Sequence, residues 1–241
     1  AWALDLAGLE DAFAAGAKAY ILCHPHNPVG HVFTLDELEK IAELAKKYNV
    51  LVISDEIHAP LIFKETKFVP YLNVSDAARE TGVCITSASK AWNLAGLKCA
   101  QIVADDSVIN DRLALLPALL SERASLFGVW AGIAAYNQGE PWLKAVLKNI
   151  DGNRHYLAKL LKKHLPKAKY TVPNGTYLAW IDLSAYGQDE VAQLLLDKGR
   201  VALSNGSLFG GVGKGFVRLN LATSKEIIKD AVLRMASVLE G

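Results

Sequence analysis

The segment Val50-Leu51-Val52-Ile53 has no polar side. Side chains of a strand alternate between faces, so a strand apolar on both belongs inside a parallel sheet with helices above and below. This feature points to an α/β layer architecture. In such folds parallel crossovers are right-handed and ligands bind beyond the carboxyl ends of the strands. Residues that directly follow the strands are therefore the first places to look for chemistry.

The flanking segments extend the pattern. Residues 8–18 suggest a short helix, and Ala19 to Cys23 a short strand ending in a Pro/His/Asn/Gly turn. Thr34 opens a helix with Glu37 three positions on, a capping-box signature, and Leu35, Leu38, Ile41, Ala42, Ala45 and Tyr48 recur along one face. Val83 to Thr86 and Ala100 to Val103 read as two more strands, and residues 107–138 as helical and mostly buried. A long amphipathic helix runs from Pro141 to Leu165, where Pro166 stops it. Beyond it come a strand from Tyr177 to Leu183, a helix from Asp189 to Lys198, strands from Val201 to Ser204 and Phe216 to Leu221, and a closing helix. Thr223 and Glu226 form a second capping-box pattern for that last helix. The expected organisation is a large α/β domain over residues 1–140, with a mainly parallel sheet and helices on both faces. A smaller α+β domain over residues 141–241 is joined to it through the long helix.

Composition narrows the partners. With 51% hydrophobic and 21% charged residues the chain can bury a sizeable core, and its net charge of +1 gives no reason to expect nucleic acid or a membrane surface. No apolar run reaches the roughly 18 residues that span a bilayer, and no basic stretch leads into an apolar one at the start. Cys23, Cys84 and Cys99 are odd in number and lack metal-type spacing, so buried free thiols and a cytoplasmic setting are expected. His24, His26 and His31 lie among Pro25, Pro28 and Gly30, where no helix or strand face gathers them, and no metal site is expected.

Four short motifs fall in order along the chain, the first three each after a strand. They are His26-Asn27-Pro28-Val29-Gly30, then Ser54-Asp55-Glu56-Ile57-His58, then Ser87-Ala88-Ser89-Lys90 with Asn93, Gly96 and Lys98 behind it, and last Val217-Arg218-Leu219-Asn220. Singly each has an ordinary reading: a turn, an N-cap, a surface lysine, an ion-pair arginine. In this order and spacing, the chain resembles the fold-type I pyridoxal-phosphate (PLP) enzymes of the aminotransferase class I/II superfamily, and the resemblance covers essentially all of it.

The resemblance implies roles. Lys90 carries the cofactor covalently and serves as general base, while Asp55 keeps the pyridine nitrogen protonated. An ion pair at about 4 Å and an effective dielectric near 20 is worth roughly 4 kcal/mol before desolvation. Asn27 donates to the cofactor's phenolic oxygen, Ser87, Ser89 and Lys98 bind the phosphate, and Arg218 grips the substrate carboxylate with its guanidinium fork. His58 stands where many aminotransferases carry a tyrosine, beside the cofactor or as a structural histidine. Tyr177 falls near the active-site mouth or in the core, and Trp92 and Trp130 read as core or pocket walls.

The Asp55-Glu56-Ile57-His58 run, the Pro25-His26-Asn27-Pro28 turn and Trp92-Asn93-Leu94-Ala95-Gly96-Leu97 resemble the cystathionine β-lyase branch, of the MalY and PatB type. Gly206-Ser207-Leu208-Phe209-Gly210 and Phe216-Val217-Arg218-Leu219-Asn220 point the same way. The implied reaction is elimination of a thiol from an L-cysteine S-conjugate to give pyruvate and ammonia, with a small amino acid as partner and a homodimer as the complete assembly. An aminotransferase, or an effector-sensing domain of a transcription regulator, stays open beside it. The resemblance also implies a large segment ahead of Ala1, so the chain is expected to be one piece of a longer protein that binds PLP weakly alone.

Overall fold

The computed structural model describes residues 2–187 and 190–241. Contacts divide these into two units: Trp2–His26 with His31–Lys144, and Asn27–Gly30 with Ala145–Gly241. The division falls inside the long helix and assigns the Asn27–Gly30 turn to the C-terminal unit, an assignment invisible in the sequence.

The larger unit is built on a four-stranded sheet in the order β1-β2-β3-β4. Strands β1 (Ala19–Cys23), β2 (Leu51–Asp55) and β3 (Gly82–Thr86) are parallel, and β4 (Gln101–Val103) returns antiparallel to β3. Helix α1 (Leu6–Ala14) precedes β1, α2 (Leu35–Tyr48) connects β1 to β2, and α3 (Asp76–Thr81) precedes β3. The capping box at α2 is complete: Glu37 N–H donates to Thr34 Oγ1 at 3.3 Å and Thr34 N–H to Glu37 Oε2 at 2.7 Å. Leu38, Ile41, Ala42 and Ala45 of α2 are fully buried in one core with Leu22, Val52 and Tyr71. Each such leucine or isoleucine contributes about 2 kcal/mol of burial. In β2, Val52 and Ser54 are buried while Leu51 and Ile53 are half-buried. On β1, Ile21 is 70% exposed.

Residues 107–138 depart from expectation. They form three helices, α4 (Ser107–Ala114), α5 (Ala118–Glu122) and α6 (Leu126–Gln138), with Pro117 interrupting the first stretch and Ser125 capping α6 through Gly128 N–H. They are not mostly buried. Leu115 is 84% exposed and Phe127 68%, because their apolar side chains outnumber the neighbours that the described residues offer. Trp130, 58% exposed, is not a core residue. Trp92 does pack, donating from Nε1 to Gly139 O at 3.0 Å and meeting Tyr136 edge-on.

The C-terminal unit holds an antiparallel sheet in the order β5-β6-β8-β7. Its strands are β5 (Lys169–Tyr170), β6 (Leu178–Asp182), β7 (Ser204–Asn205) and β8 (Phe216–Asn220), with helices α7 (Glu140–His164, entering at Ala145), α8 (Val191–Gly199) and α9 (Lys225–Leu239). Asp189, expected to open α8, lies outside the described residues. The second capping box is not formed: Ser224, not Thr223, caps α9 by accepting from Ile227 N–H. Thr223 N–H is turned back to Leu221 O at 2.9 Å.

Two buried polar residues of α7 organise the loops beside β6 and β8. Asn153 donates to Leu221 O at 2.9 Å and to Thr223 O at 2.7 Å. Arg154 pairs with Asp151 and donates to Pro173 O at 2.8 Å. A buried cation is tolerable only when its donors are satisfied. The next residues, Asn174 and Gly175, donate their amides to Gly30 O. Gly30 has φ +68°, and a Cβ there would overlap Pro173, so glycine is required where the turn meets this loop.

Candidate active site

The larger unit brings Asp55 and the Ser87–Lys90 turn to one edge. β2 and β3 run parallel with Asp55 opposite Ile85, and the ladder continues through Glu56 N–H to Ile85 O at 2.8 Å. Both chains therefore leave the sheet side by side at its carboxyl end, the place that α/β folds use for ligands.

Asp55 Oδ1 accepts Ile57 N–H at 3.2 Å, an Asx-type bond that orients the carboxylate and leaves Oδ2 for a cation. Glu56, which sequence reasoning passed over, is 4% exposed and accepts from Ser54 Oγ at 2.9 Å and Tyr71 N–H at 2.8 Å. Burial pushes its carboxyl above the ordinary range, against the opposing pull of the Tyr71 amide and the Cys84 thiol. It ties the returning segment at Tyr71 to the residue beside Asp55. Its only signal was a charged residue abutting an apolar strand. His58 is also buried, and its carbonyl accepts Leu61 N–H.

In the second turn, Ser87 is 2% exposed and bonds Cys99 O at 2.6 Å and Ser89 Oγ at 2.7 Å, while Ser89 N–H donates back to Ser87 Oγ. Ser89 Oγ reaches Cys99 O only at 3.5 Å. Ser87 thus pins the turn to the Lys98–Cys99 arm, and Ser89 is the hydroxyl more able to turn elsewhere. Lys90 is half-buried, and among the described residues it forms no ion pair or hydrogen bond. Lys98 is exposed, with a left-handed backbone at φ +54°.

The C-terminal unit brings together Asn27 and Arg218, 191 positions apart in sequence. Arg218 Nη1 donates to Asn27 Oδ1 at 2.8 Å and Nη2 to Ser204 Oγ at 3.2 Å, while the guanidinium lies 4.8 Å from the Phe209 ring centroid. Burial raises the Tyr177 hydroxyl and the Arg218 charge lowers it, so Tyr177 stands near this group. Neither Ser204 nor Phe209 was given a role of its own in the sequence, although Phe209 falls within the Gly206–Gly210 motif.

Two of the three neighbouring histidines are occupied locally, while His26 Nδ1 is buried without a hydrogen-bond partner among the described residues. His31 pairs with Glu37 at 3.2 Å, and His24 sits between Val69 O and Phe33 N–H. Among the described residues no cluster of three His, Cys, Asp or Glu side chains could hold a metal. The cysteines are free thiols; Cys84 is buried, whereas Cys23 and Cys99 are only half-buried. No helix among the described residues is long and apolar enough to cross a membrane.

A pre-oriented carboxylate, an unpaired lysine amine and a hydroxyl cluster with a second lysine fit the ring nitrogen, aldehyde and phosphate of PLP. The chain belongs to the aminotransferase class I and II family, whose model matches residues 1–235. Among its relatives, the cystathionine beta-lyase of Corynebacterium glutamicum is 38% identical over 98% of this chain and 63% of its own. The cystathionine beta-lyase PatB of Bacillus subtilis is 36% identical over 99% and 63%. The crystal structure of cystalysin from Treponema denticola, which contains a pyridoxal 5'-phosphate cofactor, matches with a TM-score of 0.93 at 28% identity, covering all of this chain and 62% of that one. The chain thus spans under two thirds of the length of these relatives and shares their PLP-enzyme fold.

Proposed function

We propose that the protein is a PLP-dependent carbon–sulfur lyase of the cystathionine β-lyase type, releasing a thiol from L-cysteine S-conjugates with formation of pyruvate and ammonia. The observation that carries this reading is the register of Asp55 against Ile85, which sets the carboxylate and the Lys90 turn on adjacent strand ends. When bound, PLP supplies an electron sink for the pair left at the substrate Cα.

This chain's residues do the rest. Asp55, held by the Ile57 amide, presents Oδ2 to the pyridine nitrogen and keeps it protonated. Lys90 Nζ would hold the cofactor and would take the proton from the substrate Cα. Ser89 and Lys98 bind the phosphate, with Ser87 holding their arms in place. Asn27 directs its amide Nδ2 to the cofactor's phenolic oxygen, because its Oδ1 already accepts from Arg218. His58 contributes a buried wall beside the cofactor. Arg218 binds the substrate carboxylate.

Incubating the protein and PLP with L-cystathionine, without any keto acid, tests the reading. Pyruvate and a free thiol are expected in equal amounts. Turnover that appears only after a keto acid is added establishes an aminotransferase instead. Borohydride reduction should fix the cofactor on the peptide holding Lys90, and Lys90→Ala should abolish both labelling and pyruvate.

A further inference from the structure

The carboxylate grip proposed for Arg218 depends on how its guanidinium is held, and the two hydrogen bonds do not hold it fully. Nη1 to Asn27 and Nη2 to Ser204 spend two of the five N–H donors. That leaves Nε–H and one hydrogen on each terminal nitrogen, enough for a two-point bond to a carboxylate. Both existing bonds are made through the terminal nitrogens and fix the position of the fork at two points. The face beneath it is the Phe209 ring, whose centroid lies 4.8 Å from the guanidinium carbon.

Phe209 is itself braced. It meets Trp180 edge-on at 5.4 Å, and Trp180, 7% exposed, stacks on Phe216 at 5.2 Å. Trp180 is the cross-strand partner of Arg218, and Phe216 lies two residues before Arg218 on the same strand face. The turn carrying Phe209 runs from Gly206 to Phe209 and is closed by Gly206 against Gly213, whose backbones approach too closely for a side chain on either. An aromatic row rooted in the small sheet therefore ends under the arginine.

We propose that Phe209 is a positioning residue for Arg218, setting the tilt at which the guanidinium receives the substrate α-carboxylate. This inference rests on the lyase reading. Removing the ring face should leave the amine end of the substrate untouched and weaken only the carboxylate end.

The test compares Phe209→Leu, the milder Phe209→Met and the face-retaining Phe209→Tyr in the PLP-loaded protein. Leu and Met should raise KM for L-cystathionine about tenfold with kcat nearly unchanged, and Tyr should restore KM. A second readout follows the cofactor absorbance as L-alanine or ethylamine is added; the two differ by the carboxylate. Leu and Met should weaken alanine about tenfold and leave ethylamine as in the wild type. Equal weakening of both ligands, weakening of neither, or failure of Tyr to restore binding overturns the role of Phe209. Turnover of L-cystathionine by the wild-type protein only after a keto acid is added overturns the lyase reading itself and the role with it.

Discussion

His24 shows how a residue that resembles a ligand can be wholly structural. It is fully buried, stacked on Phe68 at 4.5 Å, with Nδ1 placed to accept Phe33 N–H and Nε2 to donate to Val69 O. Those partners select the neutral Nε2–H form, because protonating Nδ1 forfeits the Phe33 bond. Burial drives its pKa from 6.5 down to about 4. The unfolded chain then binds a proton between these values that the folded chain refuses, so stability is full above 6.5 and falls as pH drops toward 4. The difference corresponds to about 3 kcal/mol. Melting temperature from pH 7 to pH 4 should fall steeply in the wild type and less in His24→Phe; identical profiles would rule the coupling out. Candidate site residues were legible where a strand end announced them, as with Asp55, Ser87 and Lys90. Glu56, Ser204 and Phe209 were not, because what makes them matter is burial or a cross-strand partner, and neither leaves a local pattern.

At the scale of elements, strong periodicity and complete caps carried through and marginal signals slid. The α2 capping box and its buried stripe fell where the sequence placed them, since a box and an amphipathic face agree on one register. At α9 two hydroxyl residues stand side by side, and pattern alone favoured Thr223 for its spacing to Glu226. The structure caps with Ser224 because Asn153 draws the Leu221 and Thr223 carbonyls to α7, which fixes the strand exit one residue later. Ser224→Ala should therefore cost about 1 kcal/mol in denaturant unfolding. Thr223→Ala should stay within about 0.5 kcal/mol of wild type. The reverse order would return the cap to Thr223. The two-residue strand β5 and the short α3 were missed because neither is long enough to show a period.

For the whole chain, the layer architecture followed from one doubly apolar strand, whereas the exposure of residues 107–138 did not, since apolar composition reads as burial whatever there is to pack against. Phe127, Trp130 and Ile133 recur every three residues on α6 and are 68%, 58% and 55% exposed, and Leu119 and Leu120 of α5 are 54% and 62% exposed. Contiguous apolar surface of this kind on a folded chain marks a contact region or an association hazard. The 241-residue chain studied by itself should bind a hydrophobic dye and grow in apparent mass with concentration. Phe127→Glu with Trp130→Glu should lower both signals without lowering the melting temperature, because neither side chain is buried in the fold. A monodisperse monomer that leaves the dye dark would show that these side chains are covered in solution. Loss of fold in the double variant would show that α6 draws stability from them, contrary to their exposure.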